Sequence, residues 1–253
     1  MSNQTLETLL QHRTIRKYSD KEIPKEIVDS IIEAGFRAST TGNMQVYSVV
    51  ITQDAENKKK LWELHFKQNM VLEAPMVMTF CADFHRFNIW CKQRNAEPGY
   101  DNFLSFMTAS IDAILVSQNV AVAAESYGLG IVYLGTTTYN ADEIIELLKL
   151  PEHVIPITTL VIGYPAESPP LTDRLPDSGL VHYETYEDYT PQCIDEIYAE
   201  KEASQLTHDL IEENQLENLA QIFAYKRYTK KDNEYFSEKL LKTLVKQGFM
   251  KSL

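Results

Sequence analysis

The stretch Val120-Ala121-Val122-Ala123-Ala124-Glu125-Ser126-Tyr127-Gly128-Leu129-Gly130-Ile131-Val132-Tyr133-Leu134-Gly135 decides the fold. Its first part closes an apolar run that begins near Phe103 and reads as the longest helix of the chain, apolar on most sides through Ile111, Ala113, Ile114, Leu115 and Val116. A helix that is apolar nearly all round needs cover nearly all round, so it is the core of the domain or part of a subunit interface. Gly128-Leu129-Gly130 stops it as a left-handed C-terminal cap would. Residues 131–134 follow as a strand, and Gly135 opens a threonine-rich turn where a backbone can approach a ligand closely.

Working outward, helices and strands interleave. Helices are predicted over 5–11, from Pro24 to about residue 37, over 55–66 and over 141–148; strands are predicted over 46–51, 75–81 and 157–162. Pro24 suits a helix start, and Ile27, Ile31 and Ile32 keep helical spacing behind it. A proline-rich loop spans 166–176, and from Pro191 the chain reads as two charged helices parted near 228–232. There is no internal repeat. The pattern is α+β or α/β with a helical arm at the C-terminus.

Composition narrows the class. The 253 residues suffice for one large domain or a domain with an appendage. A net charge of −12, from 36 acidic against 24 basic residues, argues against nucleic acid or an anionic membrane as partner. No apolar run is expected to reach the length of a membrane span, and residues 1–20 lack a signal-peptide core, so the expected location is the cytoplasm. The three cysteines, Cys81, Cys91 and Cys193, are scattered, which makes a disulfide framework improper for this chain; Cys81 is expected to be a buried thiol.

Common catalytic signatures are missing. The six histidines have no metal-binding spacing, so no metal is expected. There is no nucleophile elbow and no phosphate loop. Gly128-Leu129-Gly130 follows a long helix rather than a strand, so it fails as a dinucleotide fingerprint.

Against this acidic background His12-Arg13-Thr14-Ile15-Arg16-Lys17 places four basic or imidazole side chains within six residues. Arginine offers a planar, permanent charge suited to phosphate, although basic groups after a helix are also favoured by its dipole alone. Three further polar groups are candidates for the same site. Ser39 to Gln45 lies between a helix and a strand, Gln68 closes the charged helix, and Arg174 stands in the proline-bounded loop. Taken singly these read as a plain loop, an undirected amide and a surface arginine.

Taken in order, the chain resembles the nitroreductase family of flavin-dependent NAD(P)H oxidoreductases, nearest its oxygen-insensitive, often NADPH-preferring bacterial group. The markers are His12-Arg13-Thr14-Ile15-Arg16 before a helix, Ala38-Ser39 leading to Gln45, Cys81-Ala82-Asp83, Ala123 to Gly130 with Tyr133 and Gly135, Leu148-Lys149-Leu150-Pro151, Ile162-Gly163-Tyr164-Pro165 and Arg174-Leu175-Pro176. They run from about residue 5 to residue 190; none is specific alone, and the ordered set is.

The resemblance implies a three-layer sandwich with a central, mostly antiparallel sheet flanked by helices. It divides the chain into an FMN-binding domain over 1–190 and a helical extension over 191–253. It implies FMN as cofactor and NADPH or NADH as co-substrate. His12, Arg13 and Arg16 would grip the phosphate and ribityl end, with Thr14 in the place of a family serine. Ser39 and Gln68 would hydrogen-bond polar groups of the cofactor, the backbone of Tyr133, Leu134 and Gly135 would approach the ring, and Arg174 would return to the phosphate. One departure is Thr172, where the group often has a lysine. Another is the extension, where Lys226, Arg227, Lys230 and Lys231 could hold the 2′-phosphate of NADPH but read by themselves as a solvated helix end.

The implied reaction is ping-pong: hydride passes from NAD(P)H to flavin N5, then to a nitroaromatic, a quinone or a flavin. No catalytic side chain is needed, because the cofactor carries the chemistry. A homodimer with the site near its interface is implied too. The alternative is a flavin-binding sensor or storage protein that does not turn over.

Overall fold

The computed structural model describes residues 3–252, which divide into two compact units: residues 3–170 with 236–252, and residues 171–235. The chain passes into the second unit after Pro170, and from Phe236 the later part of its last helix belongs to the first unit.

In the first unit the helices are α1 (Gln4–Leu10), α2 (Lys25–Gly35), α3 (Ala55–Leu64), α4 (Met70–Glu73), α5 (His85–Gln93), α6 (Phe103–Ser126) and α7 (Ala141–Leu148), and the strands are β1 (Tyr47–Thr52), β2 (Met76–Asp83), β3 (Gly130–Leu134) and β4 (Val154–Gly163). Among the described residues these four strands form one sheet in the order β1-β2-β4-β3, every neighbouring pair antiparallel. Alternation of side chains along the strands sorts the core into two layers. Met76, Met78 and Phe80 of β2, with Leu160 and Ile162 of β4, meet α6 and Ile31 of α2. Val77 and Val161, with Val132 and Leu134 of β3, face the other way and meet Leu61 of α3 and Ile144 of α7. Because both faces are covered, every residue of β2 is buried. The result is a three-layer α+β sandwich.

The expectation that no apolar run could span a membrane is corrected: α6, at 24 residues, is long and apolar enough by length and composition. Half of its apolar window is buried inside the domain, however, which is how a core helix satisfies the same test. The left-handed cap expected after it is present, with Gly128 at φ +74°.

Gly130 has a different purpose. A Cβ there would stand 2.6 Å from Ile15 Cγ1, so only glycine lets the segment after α1 lie against β3. That segment is held by a Thr14–Ile131 parallel bridge and by the Ile15 N–H, which donates to the Ile131 carbonyl at 2.9 Å.

The second unit contains α8 (Pro191–Glu202), α9 (Gln205–Asn214) and α10 (Leu219–Ile222), which runs on into a π-turn over Phe223–Arg227. Residues 191–227 thus hold three helices where one was expected. The breaks are chemical: Ser204 caps the start of α9 by accepting from the Thr207 N–H, and Gln215 ends it in the left-handed conformation. The expected break near 228 is present, followed by α11 (Lys230–Lys246). From Phe236 onward α11 belongs to the first unit, where Lys239 Nζ reaches Asn140 Oδ1 and Glu143 Oε1 at 2.9 Å each.

Candidate functional site

The cationic segment is pinned at its first residue by a partly buried contact. His12 Nδ1 lies 2.6 Å from Glu125 Oε1 near the end of α6. Burial raises the Glu125 carboxyl above the usual carboxylate range, and the His12 contact opposes that rise. Arg13 folds back so that Nη1 donates to the Gln11 carbonyl at 3.2 Å, while its buried Nε has no hydrogen-bond partner. Thr14 is held in the bridge to β3. The Arg16 side chain is exposed, and its backbone N–H with that of Lys17 donates to one oxygen of Glu167, at 2.6 and 3.1 Å. Two successive amides sharing one anionic oxygen form an anion-accepting concavity. An open cleft of ≈ 240 Å³ lies here, lined in part by Arg13, Ile15, Glu125, Gly130 and Glu167.

At the other end of β3 stands a second cluster. Gly135 begins a tight turn, and nothing lies within 4 Å of where its Cβ would be, so this backbone is open to a ligand. Thr137 locks the turn by donating to the Leu134 carbonyl at 2.8 Å and reaching Thr159 Oγ1 at 2.9 Å. The Tyr133 side chain points into the protein, its hydroxyl 3.3 Å from Ser117 Oγ; burial pushes it up to about 12. Gln68 is brought to the same turn: Nε2 donates to the His65 carbonyl at 3.0 Å and reaches Thr136 Oγ1 at 3.4 Å.

Ser39 lies exposed in the loop after α2. That loop is anchored by a residue the sequence reading passed over, Asp112, fully buried on α6, whose Oδ1 accepts the Thr41 N–H at 2.9 Å and whose Oδ2 accepts the Val46 N–H at 3.3 Å. A signal existed, because Asp112 is the one charge in the apolar run 103–124. His65 was also passed over. Buried with its Nδ1 2.8 Å from Thr136 Oγ1, it is depressed to about 4 by desolvation.

In the second unit Arg174 Nη1 donates to Thr172 Oγ1 and to the Asp173 carbonyl, each at 2.8 Å. The residue standing where a lysine was expected thus positions the arginine. Of the later basic residues, Lys230 pairs with Glu234 at 3.7 Å with both side chains largely in solvent, and Arg227 lies 6.0 Å from the Phe223 ring. Among the described residues no cluster of three or more His, Cys, Asp or Glu could hold a metal ion.

An orphaned Arg13 Nε and an open glycine backbone suit a ligand with an anionic end and a flat polar ring. Comparison with known proteins gives the family. The family model of the nitroreductase family matches residues 9–164. The FMN reductase [NAD(P)H] of Bacillus subtilis is 39% identical over 186 residues, covering 73% of this chain and 75% of that protein. The oxygen-insensitive NADPH nitroreductase of Salmonella typhimurium is 36% identical over 183 residues, covering 72% and 75%. A crystal structure of an oxidoreductase from Bacteroides fragilis superimposes with a TM-score of 0.95 at 55% identity, covering 96% of this chain and 99% of that one.

Proposed function

The chain belongs to the nitroreductase family, and from that premise we propose that it is an FMN-dependent oxidoreductase passing hydride from NAD(P)H to nitroaromatics, quinones or flavins by a ping-pong mechanism in the cytoplasm. One observation carries the reading. The anion-accepting segment and the open turn are attached to the two ends of the same strand, Ile131 and Gly135, roughly 13 Å apart at ~3.3 Å per residue. A phosphate and an isoalloxazine joined by a ribityl chain need donors at about that separation.

Bound FMN supplies the redox chemistry, accepting hydride at N5 and delivering it to the oxidant. The chain's own residues bind and orient. Arg13 and Arg16 would hold the phosphate, and His12 fixes the segment through Glu125. Ser39 and Gln68 would hydrogen-bond polar groups of the cofactor, and the backbone from Tyr133 to Gly135 would border its ring. No side chain is assigned as acid or nucleophile.

Supplied with FMN, the protein should purify yellow, bleach on mixing with NADPH or NADH and recolour with a quinone. A flavin that neither nucleotide reduces would assign the chain to sensing or storage, and acid-released FAD would remove the cofactor assignment. Arg16→Ala should weaken FMN binding by roughly 1.5–3 kcal/mol, tenfold or more, with the melting temperature nearly unchanged because its side chain is exposed. Dialysis followed by flavin absorbance checks this.

A homodimer completes the proposal. Leu104, Met107, Ile111, Ile114 and Leu115 of α6 are each exposed although apolar, and their spacing of three and four residues makes one continuous stripe. Sedimentation at micromolar concentration should give twice the chain mass, and a monomer retaining FMN and turnover would remove the interface.

A further inference from the structure

His65, Gln68 and Thr136 form a closed network whose proton positions follow from counting. His65 is fully buried and its Nε2 has no hydrogen-bond partner, whereas its Nδ1 lies 2.8 Å from Thr136 Oγ1. Desolvation keeps the ring neutral, so one nitrogen alone carries a proton. Placed on Nε2 it would be a buried donor with nothing to bond, which folded proteins rarely tolerate; placed on Nδ1 it donates to Thr136. Gln68 turns its Nε2 toward the His65 carbonyl, which can only accept, and toward Thr136 Oγ1. With both lone pairs of Thr136 Oγ1 engaged, its hydroxyl proton is free to be donated, and Gln68 Oε1 retains its accepting capacity.

The backbone between these residues is forced into shape. Phe66 and Lys67, two successive non-glycine residues, sit at φ +54° and +57°, a conformation that side chains with a Cβ rarely adopt. Packing holds them there: the Phe66 ring lies 6.3 Å from that of Tyr139 and 6.1 Å from that of Phe236, and the Lys67 N–H donates to the Trp62 carbonyl at 2.9 Å. That reversal is what returns Gln68 to the His65 carbonyl.

We propose that His65 is a positioning residue for the ring end of the cofactor: through Thr136 it presents a Thr136 hydroxyl donor beside a Gln68 Oε1 acceptor, a matched pair for the alternating C=O and N–H groups of an imide edge such as that of the isoalloxazine. The inference rests on the flavin reading above and adds two residues to it, one of them out of contact with any ligand.

The test measures FMN affinity, the flavin absorption spectrum and the flavin reduction potential in the full-length protein. Thr136→Val and His65→Leu should each weaken FMN binding about tenfold and shift spectrum and potential. Because both break one link, the double variant should bind no worse than the weaker single one. His65→Asn, whose Nδ2–H replaces Nδ1–H, should bind within about threefold of the parent with the parental spectrum. Thr136→Val with parental affinity and spectrum, losses that multiply to about a hundredfold in the double variant, or His65→Asn no better than His65→Leu would each overturn the proposal while the flavin reading stands. A parent protein that binds no FMN overturns both. If His65→Leu does not fold, Thr136→Val and His65→Asn still decide the matter, since Thr136 is only half-buried.

Discussion

Asp112→Ala should destabilise the folded chain by about 2–4 kcal/mol, since it leaves the buried Val46 N–H without its acceptor at a cost of roughly 1–3 kcal/mol, takes the Thr41 N–H from its partner and empties the space the carboxylate filled. The donors belong to Thr41 and Val46, which bracket the short turn between α2 and β1. Water cannot readily replace the carboxylate at the Val46 N–H, because Asp112 and Val46 are both fully buried, whereas Thr41 is exposed and its N–H can turn to water. Asp112→Asn retains one accepting oxygen but turns an amide donor toward the second N–H, so it should recover only part of the loss. Urea denaturation with an unchanged m-value is the measurement. A loss under about 1 kcal/mol in Asp112→Ala would mean that the turn carrying Ser39 is held by something other than α6.

The sheet was legible because its strands are buried on both faces or alternate cleanly. Residues 46–51, 75–81 and 131–134 stand within two residues of β1, β2 and β3. The fourth strand begins earlier than expected, at Val154 rather than residue 157, because Pro156 reads as a strand breaker. The register explains how it is tolerated. Phe80 pairs with Thr158 and Cys81 with Pro156, so the ladder is irregular at the point where the proline has no N–H to give. The C-terminal helices were legible as helical but not as separate, since the breaks at Ser204 and Gln215 depend on a cap and a left-handed residue that composition does not announce.

The site was legible in parts. Arginines suggest their own chemistry, so Arg13 and Arg16 could be named as candidates from residue type, whereas Gln68 was an undirected amide until the family resemblance gave it a role. The groups that fix them could not. His65 sits at the end of a charged helix and meets Thr136 across 71 positions of sequence, and Glu167 reaches the Arg16 amide across 151. Such contacts exist only once the sheet has formed. A buried histidine is also, by type alone, as ordinary as any core polar residue.

His65 gives the fold an acid weakness that the variant His65→Asn should remove. In the unfolded chain its imidazole takes a proton near pH 6.5, whereas in the fold it does so only near pH 4. Between those values the unfolded chain holds the extra proton, so stability falls as the pH is lowered through the window. At about 1.4 kcal/mol per pH unit the loss comes to about 3 kcal/mol by pH 4. The structural reason is the same orphaned nitrogen: a second proton must go on Nε2, where no acceptor waits. Glu125 acts in the opposite direction, since its raised carboxyl takes up a proton earlier in the fold than in the unfolded chain. The difference between parent and His65→Asn therefore isolates the histidine. Measured by urea denaturation from pH 7 down to pH 4, the stability of the parent relative to His65→Asn should fall by about 3 kcal/mol. A difference that stays constant with pH would mean that the ring is solvated, and the tautomer assigned to it would go as well.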